Sequence, residues 1–122
     1  MSRTILYAED EEVTRGLVVE ELQRAGFSVD TAGDGEEAIR LLSEKAYDLV
    51  LLDIKMPKKS GLEVLEFLKE KGLRPRVIML TGVGELAIAI QSMKLGANEY
   101  ITKPFKLEDL IQSIEKVLKR MS

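Results

Sequence analysis

The chain has 122 residues, neither cysteine nor histidine, and a net charge of −3 from 18 basic and 21 acidic side chains. That length supports one domain burying roughly two thirds of its unfolded surface, without material for a second core. The missing residue types exclude disulfides, thiolate metal sites and a phosphohistidine, and the slightly negative balance argues against direct nucleic-acid binding by this chain. No apolar run approaches the length of a membrane span, and acids appear from Glu9, before a signal-peptide core could form. A cytoplasmic protein with no membrane attachment is expected.

Thr4–Ala8, short and apolar, reads as the first strand. Glu12–Ala25 follows with helical spacing, placing Val13, Leu17, Val18, Leu22 and Ala25 on one face. Ser28–Ala32 alternates polar and apolar residues, as an edge strand does, and leads to a helix over Gly35–Lys45. Asp48–Leu52 and Val77–Leu80, separated by a helix over Gly61–Lys71, are almost wholly apolar, the pattern of central strands covered on both faces. Glu85–Leu95 is the fourth helix and Glu99–Thr102 the fifth strand. The last helix spans Leu107–Met121, with Leu107, Leu110, Ile111, Ile114, Val117 and Leu118 along one side. Gly26, Gly72 and Gly96 each stand just past a periodic stretch, where a left-handed residue ends a helix. Asp34-Gly35-Glu36-Glu37 and Ser60-Gly61-Leu62-Glu63 read as N-caps with capping-box glutamates. Five strand–helix units with short connections imply an α/β fold built on a parallel sheet with right-handed crossovers.

In such a sheet the chemistry sits beyond the carboxyl ends of the strands. Four strands end on residues suited to phosphoryl chemistry: Glu9-Asp10, Asp53, Thr81 and Lys103-Pro104. If these strands are neighbours, three acids, one hydroxyl and one ammonium converge. Taken alone, the acids from Glu9 to Glu12 favour the positive end of the first helix. That account suits Glu11 and Glu12 but not Glu9 and Asp10, which should face Asp53. Two carboxylates about 4 Å apart repel by roughly 4 kcal/mol at an effective dielectric near 20, and a divalent cation relieves such crowding. Hard oxygen ligands with room for water and phosphate suit Mg²⁺. A carboxylate beside a metal can attack a phosphoryl group to form an acyl phosphate, with Asp53 the natural candidate. A lone threonine at a strand end is usually structural, and a lysine there is usually solvated. Thr81 and Lys103 gain interest only through what they should face.

The chain resembles a response-regulator receiver domain of two-component signalling over essentially its whole length, residues 1–122. The resemblance rests on Glu9-Asp10, Leu51-Leu52-Asp53-Ile54-Lys55-Met56-Pro57 with Gly61, Thr81, Met93-Lys94-Leu95-Gly96-Ala97 and Tyr100-Ile101-Thr102-Lys103-Pro104-Phe105. It implies a single-domain three-layer αβα sandwich, flavodoxin-like, with five strands in the order 2-1-3-4-5. It further implies Asp53 as phosphoacceptor and Glu9, Asp10, Asp53 and the backbone carbonyl of Lys55 as Mg²⁺ ligands. Thr81 and Lys103 would contact the phosphoryl group, Lys103-Pro104 would be a cis peptide, and Tyr100 would swing inward when the Thr81 hydroxyl moves onto the phosphate. Lys106 departs from the family pattern, standing where an N-capping aspartate is common. Lys55 and Val83 occupy family positions that modulate dephosphorylation.

The implied function is a switch and not an enzyme, a protein that promotes only its own phosphorylation and dephosphorylation. Asp53 takes a phosphoryl group from a sensor histidine kinase or phosphotransfer protein, and the last two βα units then present a changed surface. A downstream protein, an effector domain beyond this chain or a phosphorylation-dependent dimer would read it. Three alternatives compete. A Mg²⁺-dependent phosphatase or phosphotransferase with an aspartyl-phosphate intermediate usually carries a second aspartate two residues after the first, where this chain has Lys55. A flavodoxin-like cofactor carrier would want a phosphate-binding loop where Glu9 and Asp10 stand. A degenerate receiver used only for docking would have lost the acids or the lysine, which are all present.

Overall fold

The computed structural model describes residues 3–120. The chain runs β1 (Thr4–Ala8), α1 (Glu12–Arg24), β2 (Ser28–Ala32), α2 (Gly35–Glu44), β3 (Leu49–Asp53), α3 (Gly61–Glu70), β4 (Arg76–Thr81), α4 (Leu86–Lys94), β5 (Glu99–Thr102) and α5 (Leu107–Lys119). All strand pairs are parallel, in the order β2-β1-β3-β4-β5. β2 is an edge, as its alternation implied. The last helix is expected to reach Met121, a position outside the described residues; α5 is described to Lys119, with Arg120 as its C-cap.

Strand pleating divides the core in two. Ile5, Tyr7, Leu49, Leu51, Ile78 and Leu80 point to one face and pack on Val18 and Leu22 of α1 and Leu110, Ile114, Val117 and Leu118 of α5. Leu6, Ala8, Val50, Leu52, Val77 and Met79 point to the other and meet Ala38 and Leu42 of α2 and Val64, Leu65 and Leu68 of α3. Because β1, β3 and β4 are covered on both sides, their sequences are continuously apolar instead of alternating.

Strand ends differ from the sequence expectation by one residue at the functionally important places. Asp48 lies before β3, where its carboxylate accepts the Thr4 N–H at 2.8 Å and pins the strand starts together. Asp53 is the last rung of β3, opposite Leu80, and Thr81 is the last rung of β4, opposite Thr102. Apolar runs mark what is buried, whereas the ladder continues as long as a neighbour offers hydrogen bonds.

The expected face of α1 is wrong in part. Val18 and Leu22 are buried, but Val13 is 69% and Leu17 56% exposed, and Ala25 lies at the surface. Five residues of helix turn Val18 about 140° away from Val13, so the apolar positions form two stripes and only one reaches the sheet.

Helix ends follow their caps. α1, α3 and α4 close on Gly26, Gly72 and Gly96 with positive φ of 98°, 69° and 111°. In α1, Gly26 N–H bonds Gln23 O and Phe27 N–H bonds Leu22 O, the paired bonds of a Schellman end. Ser60 and Glu63 form a complete capping box. Asp34 caps the Glu37 N–H at 2.8 Å, but Glu37 reaches past it to the Gly33 N–H at 2.7 Å, so that box is not closed. Lys106 contributes no side-chain cap to α5, leaving Glu108 and Asp109 to complement its first turn.

α3 begins pressed against the end of β3. The Gly61 N–H donates to Ile54 O at 2.8 Å, and a Cβ on Gly61 would overlap the Asp53 carbonyl oxygen. Gly16, in mid-α1, has nothing within 4 Å of such a Cβ. Gly61→Ala should therefore destabilise the fold by about 1–3 kcal/mol through backbone displacement. Gly16→Ala should stabilise it by about 0.5–1 kcal/mol through helix propensity. Urea denaturation midpoints of the two variants check the opposite signs.

Candidate functional site

The strand order brings the carboxyl ends of β1, β3, β4 and β5 to one edge. Glu9 and Asp10 leave β1, Asp53 and Thr81 end their strands, and Lys103 follows β5. One carboxylate oxygen each from Glu9, Asp10 and Asp53 lies within 4.8 Å of the others. Glu9 and Asp53 are 2% and 6% exposed, so the cluster is walled by protein on two members and open at Asp10. At this spacing each pair of ionised acids repels by about 3–4 kcal/mol at an effective dielectric near 20.

The Lys103 ammonium answers part of that charge. Its Nζ lies 2.6 Å from Asp53 Oδ2 and 3.3 Å from Glu9 Oε1. Burial alone pulls the Lys103 pKa down, but the hydrogen bond and charge of Asp53, then those of Glu9, outweigh it and the net shift is upward. Burial raises the pKa of Glu9, and the hydrogen bond and charge of Asp53 raise it further, against the opposing pull of the Glu11 N–H and Lys103. Both shifts express one crowding: the enclosed acids Glu9 and Asp53 share one cation. The donor set is hard oxygen with an open side at Asp10, which fits a small divalent ion of the Mg²⁺ kind and not a soft metal.

Glu9 is held from three further directions. The buried Tyr7 hydroxyl donates to Oε1 at 3.4 Å, the Glu11 N–H to Oε2 at 3.2 Å, and Arg15 to the Glu9 carbonyl at 2.7 Å. Burial, followed by the charge of Glu9, moves the Tyr7 hydroxyl far above its ordinary pKa, so Tyr7 remains a donor.

Thr81 is buried beside this cluster, and its hydroxyl donates to the Ile101 carbonyl at 3.4 Å, facing β5. The Lys103 N–H bonds Thr81 O at 2.7 Å, and the Lys103–Pro104 peptide is cis, as the resemblance implied. Lys55 lies in the β3–α3 loop and lines a groove of about 460 Å³ with Asp10, Met56 and Ile88. Its side chain is 82% exposed. Tyr100 sits on β5 next to Met79 and is 36% exposed. Thus Glu9, Asp10 and Asp53 cluster, Lys103 touches Glu9 and Asp53, and Thr81 lies at the adjoining strand end, whereas the Lys55 and Tyr100 side chains lie toward the surface.

Two participants escaped the sequence reading. Tyr7 was hidden inside an apolar strand. Glu85 stood only as the first residue of the expected fourth helix, yet it is 5% exposed and accepts the Gly82 N–H.

Residues 5–115 match a family model described as the response regulator receiver domain. The transcriptional regulatory protein DltR of Streptococcus agalactiae (serotype III, strain NEM316) is 40% identical over 110 residues, covering 90% of this chain and 49% of that protein. The transcriptional regulatory protein CpxR of Escherichia coli K12 is 40% identical over 120 residues, covering 98% of this chain and 50% of that one. The chain thus spans about half the length of the curated relatives it matches. A solved response regulator receiver domain protein from Clostridium thermocellum superposes with a TM-score of 0.90 at 37% identity, covering 97% of this chain and 95% of the other.

Lys103 carries the local charge balance, and its loss should be costly. Lys103→Met should reduce metal-free stability by roughly 1–3 kcal/mol, below the cost of breaking a fully buried pair because the lysine is partly exposed. Adding Asp53→Asn should recover part of that loss. Urea unfolding in the presence of a chelator measures both.

Proposed function

The chain belongs to the response regulator receiver domain family, and we propose that residues 1–122 form one phosphorylation-activated switch whose phosphoacceptor is Asp53. The observation that carries this reading is the three-carboxylate cluster clasped by Lys103 at 2.6 Å from Asp53 and 3.3 Å from Glu9. Such a pocket is poor at holding a further anion on its own and well suited to one delivered with a cation.

Glu9, Asp10 and Asp53, joined by the backbone carbonyl of Lys55, are the proposed Mg²⁺ ligands. When bound, Mg²⁺ would neutralise surplus carboxylate charge and polarise the phosphoryl oxygens. Asp53 supplies the nucleophilic oxygen. A new O–P bond forms as the P–N bond of a phosphohistidine on a sensor histidine kinase or phosphotransfer protein breaks, the electron pair remaining on the imidazole. Catalysis is mostly positioning and charge stabilisation. Lys103, already on Asp53, exchanges part of that contact for a phosphoryl oxygen, and Thr81 turns its hydroxyl from Ile101 toward the same group. The added phosphoryl brings about −1.5 to −2 charges into the pocket.

Tyr100 then follows Thr81 inward, and the last two βα units change their outer face. Leu86, Ile90 and Met93 of α4 and Tyr100 of β5 are exposed on two elements that touch, offering apolar surface for a downstream protein, an effector domain or a phosphorylation-dependent dimer to read. The ligand-driven shift is one of population between two packings. The relatives are named as transcriptional regulatory proteins, which supports a signalling role; a cytoplasmic location is part of the same proposal, and the net charge of −3 argues against direct nucleic-acid contact by this chain. Among the described residues no helix is long and apolar enough to cross a membrane. The hydrolase alternative gains nothing: Lys55, where such enzymes carry an acid, presents an exposed ammonium.

Acetyl phosphate with Mg²⁺ should add the mass of one phosphoryl group, and Asp53→Asn should stay unmodified. Equal modification of both proteins in intact-mass spectra would refute the assignment. Mg²⁺ alone should raise the melting temperature, with Asp10→Ala removing most of the effect. A metal-insensitive melting curve for the parent protein would count against the ligand set.

A further inference from the structure

Glu85 is a buried acid beside the pocket to which the reading above gives no task. It occupies the residue before α4, where an acid ordinarily caps the helix, but it makes no side-chain cap bond. Its Oε1 instead accepts the Gly82 N–H, folding the carboxylate back under the β4–α4 loop. Oε2 is buried without a hydrogen-bond donor. The charge nearest to it is the Lys55 ammonium at 3.7 Å, close enough for Coulomb attraction but not hydrogen-bonded.

The two ends of this contact belong to different loops. Lys55 is two residues beyond Asp53, and Glu85 is four beyond Thr81. β3 and β4 are paired up to Asp53 and Leu80, and the Ile54 N–H bonds Leu80 O at 3.2 Å. Any side-chain link between Lys55 and Glu85 therefore crosses the seam directly above Asp53 and Thr81. A buried carboxylate with one oxygen unsatisfied is costly, and it persists where neighbouring geometry holds it.

We propose that Glu85 is a positioning residue that latches the mouth of the pocket. One oxygen fixes the Thr81–Gly84 loop through the Gly82 N–H, and the other draws the Lys55 ammonium across the β3/β4 seam. The latch limits how freely water and small donors reach the Asp53 carboxylate. This inference rests on Asp53 being the phosphoacceptor.

The test uses the whole chain with acetyl phosphate and Mg²⁺, following loss of the phosphoryl group by intact mass after the donor is removed. Glu85→Gln keeps the shape and the acceptor for Gly82 but drops the charge; Lys55→Met removes the other partner. Each should shorten the phosphoryl half-life roughly threefold, the effect expected for one partly exposed ion pair, and the double variant should shorten it no further. Hydrogen exchange at the Gly82 amide gives a second readout independent of phosphorylation. It should rise in Glu85→Ala and stay at the parent rate in Glu85→Gln. Unchanged half-lives in both single variants, or effects that multiply in the double, would overturn the latch. Gly82 exchange indifferent to Glu85→Ala would do the same. A parent protein that takes up no phosphoryl group would instead remove the phosphoacceptor reading on which the latch depends, so the two failures are distinguishable.

Discussion

The mutual repulsion of Glu9, Asp10 and Asp53, held in check by Lys103, is the constraint around which the functional end of this molecule is organised. The three acids come from the ends of two adjacent strands, and the cation arrives from two strands farther on. No local segment could assemble the set. The parallel order β2-β1-β3-β4-β5 does, because it aligns the carboxyl ends of all five strands at one edge. The apolar interior contributes by making that edge rigid: Asp53 stands at the end of a strand whose every residue is buried.

The same edge shows how a buried charge is tolerated. Glu9 is almost fully enclosed, yet it receives hydrogen bonds from Tyr7 and the Glu11 N–H and a contact from Lys103. Its raised pKa shows that these partners do not cancel the effects of burial and Asp53. Such an imbalance favours uptake of positive charge, and a hard cation bound there would relieve the same crowding that costs stability without one.

Most of the fold and the heart of the site were legible in the sequence because two independent signals agreed. Apolar runs marked the strands, and the residue ending each run was of a type that chemistry uses. Asp53, Lys103 and the Glu9-Asp10 pair met in space for that reason. The signal weakened wherever burial was decided by a partner and not by periodicity. Val13 and Leu17 fit a helical apolar pattern but turn away from the sheet, since a count of apolar positions does not say which of two stripes is covered. Asp48 looked like the start of a strand and proved to be its anchor. Glu85 was the least legible: an acid at a helix start is ordinary in sequence, and only the folded loop shows that it points inward.

Asp53 is held by backbone bonds of the strand it ends and of the residue that follows it. It is the terminal rung of β3, the next residue's N–H is bonded to Leu80 O, and the carbonyl of Ile54 takes the Gly61 N–H. With the backbone tied on both sides, Asp53 would be the stator of the proposed switch. Whatever motion a modification there produces has to be taken up by the segments of β4–α4 and β5 that border it. On the proposed reading, output would therefore be steered toward that flank of the molecule and away from α2 and β2.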